Sequence, residues 1–355
     1  MPTSDSLPRT LEELTPQWLS SALQKSLPGA SFSAIEIERV LWGTATKVLA
    51  KVSYADPQPE GAPAQLCIKG EFDERARAAV GGESRTGTQM EALFFNGLAG
   101  QLGIPLPRHW YAGSEPGMGI LVLDNLAAKG YGFGNPTEPW PADRVADALD
   151  ILATLHGSTW GKRYPELDWL SVGSTAVRHA AEMLMSDQHW KGQFSQPDVY
   201  QLPSALTDNQ RLIRGYRALW AYDDQHADCV IHGDAHVGNT CFDPQGSPFF
   251  IDWAGPCHSH WGTDVPYFLV GALSVEDRRA LERDLFAHYL KRLAHHGGPA
   301  LDAALAWDDY RRHMVHGMMW ATLPTALQSS ANVHAMGERY AQAMLDHDTL
   351  ALLGV

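Results

Sequence analysis

The feature that most restricts how this chain can fold is a change in the period of its apolar residues. Before about residue 125 they fall in short runs, and Val48, Ala50, Val52 and Tyr54 alternate as one face of a half-buried strand. Strands are predicted at Ser33 to Val40, Thr46 to Tyr54, Gln65 to Lys69, about Arg108 to Ala112 and Gly119 to Leu123. The first two pair as a hairpin around Trp42-Gly43-Thr44. A lead-in helix starts at Thr15 with Pro16 in its first turn, and a second runs from about Gly87 to Leu102, stopped by Gly103 and Pro105. From Pro141 onward the spacing is helical, over about 142–158, 204–225, 262–272, 275–296 and a broken stretch at 300–350. One stretch between Cys229 and Trp253 returns to short strands and turns. The expected class is α+β in two lobes: residues 1–125 as a small antiparallel β-sheet lobe and residues 126–355 as a larger α-helical one, joined through Asp124 to Leu126.

Composition narrows the partners. The 355 residues carry 27 Lys+Arg against 41 Asp+Glu, a formal net charge of −14, which disfavours a grip on a nucleic-acid backbone or an anionic membrane. Cys67, Cys229, Cys241 and Cys257 form no Cys-x-x-Cys pair, so neither a zinc knuckle nor a disulfide framework is indicated. The N-terminus has no basic segment leading into an apolar stretch, and no run of about 18 apolar residues occurs, so a cytoplasmic location is expected.

The interruption in the helical half carries the chemistry. It reads VIHGDAHVGNTCFDPQGSPFFIDW from Val230 to Trp253, and places Asn239 five positions after Asp234 and Asp252 thirteen after Asn239. Phosphoryl transfer needs such a set: one carboxylate to receive a hydroxyl proton, and an amide oxygen and a second carboxylate to hold Mg²⁺, a cation that prefers hard oxygen ligands. The Asp234 to Asn239 spacing equals that of the catalytic loop H-R-D-x-x-x-x-N.

With His232-Gly233-Asp234 through Asn239 and then Ile251-Asp252-Trp253, the segment resembles the aminoglycoside phosphotransferase and choline kinase-like superfamily, small-molecule kinases with a protein-kinase-like fold. Leu152-Ala-Thr-Leu-His156 is similar to that family's helix before the catalytic loop, and Asp264-Val-Pro-Tyr-Phe268 to its helix after the metal-binding Asp. The resemblance, which spans roughly Val40 to Leu273, implies that Asp234 is the catalytic base or hydroxyl-orienting group, that Asn239 and Asp252 ligate Mg²⁺, and that Asp264 anchors the loop. It implies ATP as phosphoryl donor, with GTP not excluded, and a hydroxylated small molecule as acceptor. Lys69 is placed like the lysine that pairs with the α/β-phosphates, with Glu91 in MEALFFNGL as its ion-pair partner and Glu83 as the competitor. Gly43, Thr44 and Thr46 lie in the hairpin expected over the phosphates, although this chain keeps one glycine where protein kinases have three. Leu121 to Leu126 resembles the purine-binding hinge, which brings Asp124 and Leu126 into the nucleotide site.

Two other readings stay open at this level. One is a nucleotide-binding module without catalysis. The other is a transition-metal hydrolase that takes His232, Asp234 and His236, alternating as His-x-Asp-x-His, as ligands. The acceptor is unnamed by sequence, as is the oligomeric state. Trp160, Trp169, Trp190, Trp220, Trp261, Trp307 and Trp320 all lie in the helical half, and core packing is expected for most of them. The run His313 to Trp320 is expected to be a helix with a buried face.

Overall fold

A computed structural model describes residues 6–43, 45–74 and 85–355. The chain forms two compact units. The first comprises Met1–Gln101, Pro105–Gly132 and Ile251–Gly255, and the second Leu102–Ile104, Phe133–Phe250 and Pro256–Val355.

In the first unit, Thr15 caps α1 (Pro16–Ala22) by accepting from the Trp18 N–H, and Pro16 sits where a helix needs no donor. Strands β1 (Phe32–Leu41), β2 (Thr46–Tyr54), β3 (Gln65–Gly70), β4 (His109–Glu115) and β5 (Met118–Asp124) build one antiparallel sheet in the order β1-β2-β3-β5-β4. Alternation in β2 buries Thr46, Val48, Ala50 and Val52, while Tyr54, at the strand's end, is half-buried. Leu19 and Leu23 meet Leu66, Ile68, Ile120 and Val122 in the core. Helix α2 (Gly87–Gly97) begins at a capping box between Thr86 and Gln89. It stops short of the expected Leu102, because the chain tightens into a 3₁₀ turn at Ala99–Gln101.

The second unit starts beside the short strand β6 (Gly132–Phe133) and is mostly helical. Helices α3 (Ala142–Thr159), α4 (Thr175–Leu184), α5 (Asp187–Phe194) and α6 (Asn209–Gln225) precede the strand-and-turn segment. Sequence periodicity passed over α4 and α5, which are short; each is started by a serine cap, Ser174 and Ser186, rather than by a long apolar stripe. The segment itself holds β7 (Cys229–Ile231), a 3₁₀ turn Val237–Asn239, and the hairpin of β8 (Thr240–Phe242) with β9 (Pro248–Phe250). Strand β10 (Cys257–Ser259) pairs with β7. Every residue of α7 (Val265–Ala272) is buried. It is followed by α8 (Val275–His295), α9 (Ala303–Arg312), α10 (Ser330–Asp346) and α11 (Thr349–Leu352).

The run expected as a helix at His313 to Trp320 is instead a ten-residue 3₁₀ helix, His313–Thr322. Runs this long are uncommon because their hydrogen bonds are poorer, so tertiary contacts have to hold the segment. His313 supplies one, with Nδ1 at 2.6 Å from the Asp309 carbonyl and Nε2 at 2.9 Å from Asp223 Oδ1. Among the described residues, no helix is long and apolar enough to cross a membrane.

Candidate active site

The first unit assembles a charged cluster. Lys69 leaves β3 with its ammonium buried, 2.5 Å from Glu91 Oε2 on α2 and 2.7 Å from Asp252 Oδ1. Burial alone would lower the lysine's pKa, but the charges of Glu91 and Asp252 outweigh it and hold the ammonium above its ordinary value. Asp252 is a non-glycine residue at φ 63°, in the left-handed region where L-residues are strained. Its neighbour fixes it there: the Trp253 ring stacks on Phe94 of α2 at 4.4 Å, with an interplanar angle of 1°, and the Trp253 N–H reaches Glu91 Oε1 at 3.3 Å. One helix therefore positions both the lysine's partner and the backbone that presents Asp252.

Sequence reasoning missed Lys47. In the β2–β3 register Lys47 lies directly opposite Lys69, and its Nζ is 3.7 Å from Asp252 Oδ2. Like charges facing each other across a ladder repel. Here one carboxylate offsets both, an oxygen toward each lysine. The signal was the strand pairing register, which alternation within a strand does not supply.

The other predicted residues of this unit fall as follows. Gly43 is in an exposed bend, and Thr44 and Glu83 lie outside the described residues. Thr46 is buried, and its hydroxyl has no hydrogen-bond partner among the described residues. Asp124 ends β5 with its carboxylate accepting from Trp110 Nε1 at 2.9 Å and from Lys129, and Leu126 opens the following turn.

The second unit presents Asp234 and Asn239. The loop between β7 and β8 is shaped by Asp264, fully buried, whose two oxygens accept from the His232 N–H at 2.7 Å and the Gly233 N–H at 3.0 Å. His156 of α3 sits 3.1 Å from the same carboxylate, and its other ring nitrogen is 2.9 Å from the Tyr289 hydroxyl of α8. Burial alone would raise the Asp264 pKa, but His156 and the loop donors overcome it and hold the carboxyl below the usual range. Gly233 turns the loop at φ 81°, a conformation a side chain resists.

Asp234 stands out from this frame, its side chain 51% exposed. Asn239 Nδ2 donates to Asp234 Oδ2 at 2.9 Å and to its backbone carbonyl at 3.0 Å. Both amide hydrogens are thereby committed, which leaves the Asn239 carbonyl oxygen for a cation. Tyr267 of α7 lies with its hydroxyl 3.3 Å from Asp234 Oδ1. His236 Nδ1 accepts from the Gly238 N–H at 3.0 Å, so its Nε2 carries the hydrogen; that atom is 3.7 Å from Asp234 Oδ2. His232 Nδ1 likewise accepts from the Asp234 N–H, at 3.3 Å. With these nitrogens used as acceptors inside the loop, the His232, Asp234 and His236 set does not offer lone pairs converging on a transition metal. Among the described residues, three such groups approach one another only at Asp223, His260 and His313. There His260 Nδ1 accepts from the Gly262 N–H, which again makes Nε2 a donor.

Of the seven tryptophans considered, Trp169, Trp261, Trp307 and Trp320 are buried. Trp320 does more than pack, because its Nε1 donates to the Tyr267 hydroxyl at 2.8 Å.

A profile of the phosphotransferase enzyme family matches residues 7–307. No curated protein matches the sequence. Among solved structures the chain is similar to a spectinomycin phosphotransferase in complex with ADP and spectinomycin, at a TM-score of 0.50 and 13% identity over 94% of this chain and 98% of that one. It is equally similar to the GDP complex of a variant aminoglycoside 2'-phosphotransferase-IIIa, at 0.50 and 12% over 94% and 98%. The choline kinase LicA from Streptococcus pneumoniae aligns at 0.46 and 15% over 94% and 97%. At such identities the two likenesses at 0.50 speak for the fold, which is the α+β, protein-kinase-like one expected from the sequence.

Proposed function

Because the chain belongs to the phosphotransferase enzyme family, we propose that it transfers the γ-phosphoryl group of ATP, with Mg²⁺, to a hydroxyl of a small molecule. The observation that carries this reading is the buried Lys69 ammonium held between Glu91 and Asp252. A charged lysine fixed by two carboxylates, one of them partly open to solvent, suits the binding of a triphosphate and its cation. The structures it resembles hold ADP in one case and GDP in another, so either purine is compatible with the fold.

In this reading Lys69 neutralises phosphate oxygens and Lys47 adds a second cation. Glu91 keeps Lys69 in place. The acceptor hydroxyl oxygen attacks the γ-phosphorus, the bond to the β–γ bridging oxygen breaks, ADP leaves with the electron pair, and the hydroxyl proton passes to Asp234. Asn239 and Asp252 each carry a hard oxygen donor of the kind Mg²⁺ prefers, and bound Mg²⁺ would offset charge on the phosphates. Such chemistry belongs in the cytoplasm, where nucleoside triphosphates are supplied.

The test is thermal stabilisation by ATP or GTP with Mg²⁺, followed by a panel of neutral and cationic alcohols scored by ADP release. Stabilisation together with phosphorylation of at least one alcohol supports the proposal. Nucleotide binding with no transfer to any alcohol would favour the non-catalytic module, and no nucleotide binding at all would sink both.

A further inference from the structure

We propose that Tyr267, clamped by the Trp320 indole, is a positioning residue for Asp234: a buried Trp–Tyr–Asp relay that holds the carboxylate in one orientation for the acceptor hydroxyl. The inference deepens the phosphotransferase reading and rests on it for the role of Asp234.

The direction of the relay follows from donor chemistry. An indole N–H can only donate, so at 2.8 Å the Tyr267 oxygen is the acceptor for Trp320. The single Tyr267 proton must then point elsewhere, and Asp234 Oδ1 lies 3.3 Å away, a long hydrogen bond of the kind that tightens when a site closes on its substrate. Asn239 holds the other oxygen, Oδ2, at 2.9 Å. Each carboxylate oxygen thus takes one donor on its inner side, and the lone pairs toward solvent stay free.

The packing around Tyr267 gives the ring little choice of place. Trp320 is 2% exposed and Tyr267 5%. Tyr340 of α10 stacks on the Tyr267 ring at 5.5 Å and donates its hydroxyl to the Tyr267 carbonyl at 2.6 Å. The 3₁₀ helix carrying Trp320 can come this close only because Gly317 lacks a side chain: a Cβ there would lie 2.1 Å from Tyr340 Cδ1. The His236 ring closes the edge, 5.0 Å from that of Trp320 at 82°. Burial, with the Asp234 charge nearby, pushes the Tyr267 hydroxyl well above its ordinary pKa, so it remains a donor. A phenylalanine and a leucine would fill such a core without polar atoms that need partners. Two polar rings in series behind an exposed carboxylate are explained by the orientation they impose.

The experiment uses the full chain and the variants Tyr267→Phe, Trp320→Phe and the double variant. Rates are read as ADP release from Mg²⁺·ATP with the fastest alcohol of the panel above, or with water as acceptor if no alcohol is turned over. Tyr267→Phe is expected to lower kcat at least about tenfold with the KM for ATP within about twofold. Trp320→Phe should cost less, and the double variant no more than Tyr267→Phe alone, because a relay cut twice is still one relay. A Tyr267→Phe rate within about twofold of the parent, or costs that multiply in the double variant, would overturn the proposal. Separately, the Trp320 indole N–H resonance, assigned by its loss in Trp320→Phe, should shift and exchange faster in Tyr267→Phe. If the parent releases no ADP at all, the phosphotransferase reading fails, and the relay is then judged on that resonance, an unchanged signal in Tyr267→Phe counting against it.

Discussion

The two units hold Asp252 and Asp234, the carboxylates of the proposed function, by opposite means. In the first, Asp252 is held by charge, between Lys69 and Lys47 and beside Glu91. In the second, Asp234 is held by neutral donors, Asn239 and Tyr267, with the His236 N–H beyond them. In the proposed function the first unit receives a polyanion, and charge suits that role because the cations are already desolvated before the phosphates arrive. Under the same proposal, a cation against Asp234 would compete with the acceptor proton. Neutral hydrogen bonds orient that carboxylate and leave it able to accept.

The strongest way to break this contrast is Asp234→Asn, which should lower kcat by about 10²–10⁴-fold while nucleotide affinity stays near the parent value. Equal losses in both would mean that Asp234 serves nucleotide binding as well. Lys69→Met should do the reverse at the start of the cycle. It leaves Glu91 buried without its cation, at a cost on the order of 3–5 kcal/mol in denaturant unfolding, and should weaken ATP binding at least about tenfold. Nucleotide affinity unchanged in a folded Lys69→Met protein would remove Lys69 from the phosphate site.

A smaller effect is expected from Asp264→Asn. It puts an amide where two backbone N–H groups and His156 need an acceptor, and should cost about 1–3 kcal/mol while loosening the loop that carries Asp234. A stability unchanged within error would show that the loop holds its shape without it.

Acidity should separate the units further, since the eight histidines buried among the described residues all lie in the second. Burial is the main cause that lowers the pKa of His260 to about 4. Between that value and the ordinary one near 6.5 the unfolded chain binds more protons than the folded one, so this residue's contribution is lost as pH falls through that window. The slope should be at most about 1 kcal/mol per pH unit, flattened in His260→Gln, with melting curves at pH 7 and 5 as the check. His313 works the other way. Burial opposes its charge, but Asp223 and the Asp309 carbonyl raise its pKa, so its contribution is present below about 6.5 and is lost as pH rises through the folded value.

Much of the frame was legible because it is local. Period-two alternation placed β2, the Thr15–Pro16 pair placed the start of α1, and the spacing of Asp234 from Asn239 marked a loop whose turn needs Gly233. Where reading failed, local cues were weak or were overruled. Helices α4 and α5 rest on serine caps, and the run after Arg312 has helical composition but is drawn into a 3₁₀ helix by His313 and by the close approach at Gly317.

The sequence by itself determined the order of the chemistry-bearing residues, the sheet-then-helix organisation and the family, since periodicity and loop motifs depend on neighbours along the chain. Only the tertiary structure decided that Asp252 joins a unit whose lysine lies 183 positions earlier, that Lys47 faces Lys69, and that Trp320 reaches Asp234 through Tyr267. Those pairings are set by strand register and helix packing, where residues far apart in sequence satisfy one another's charges and hydrogen bonds, and no local pattern records which distant partner a side chain will meet.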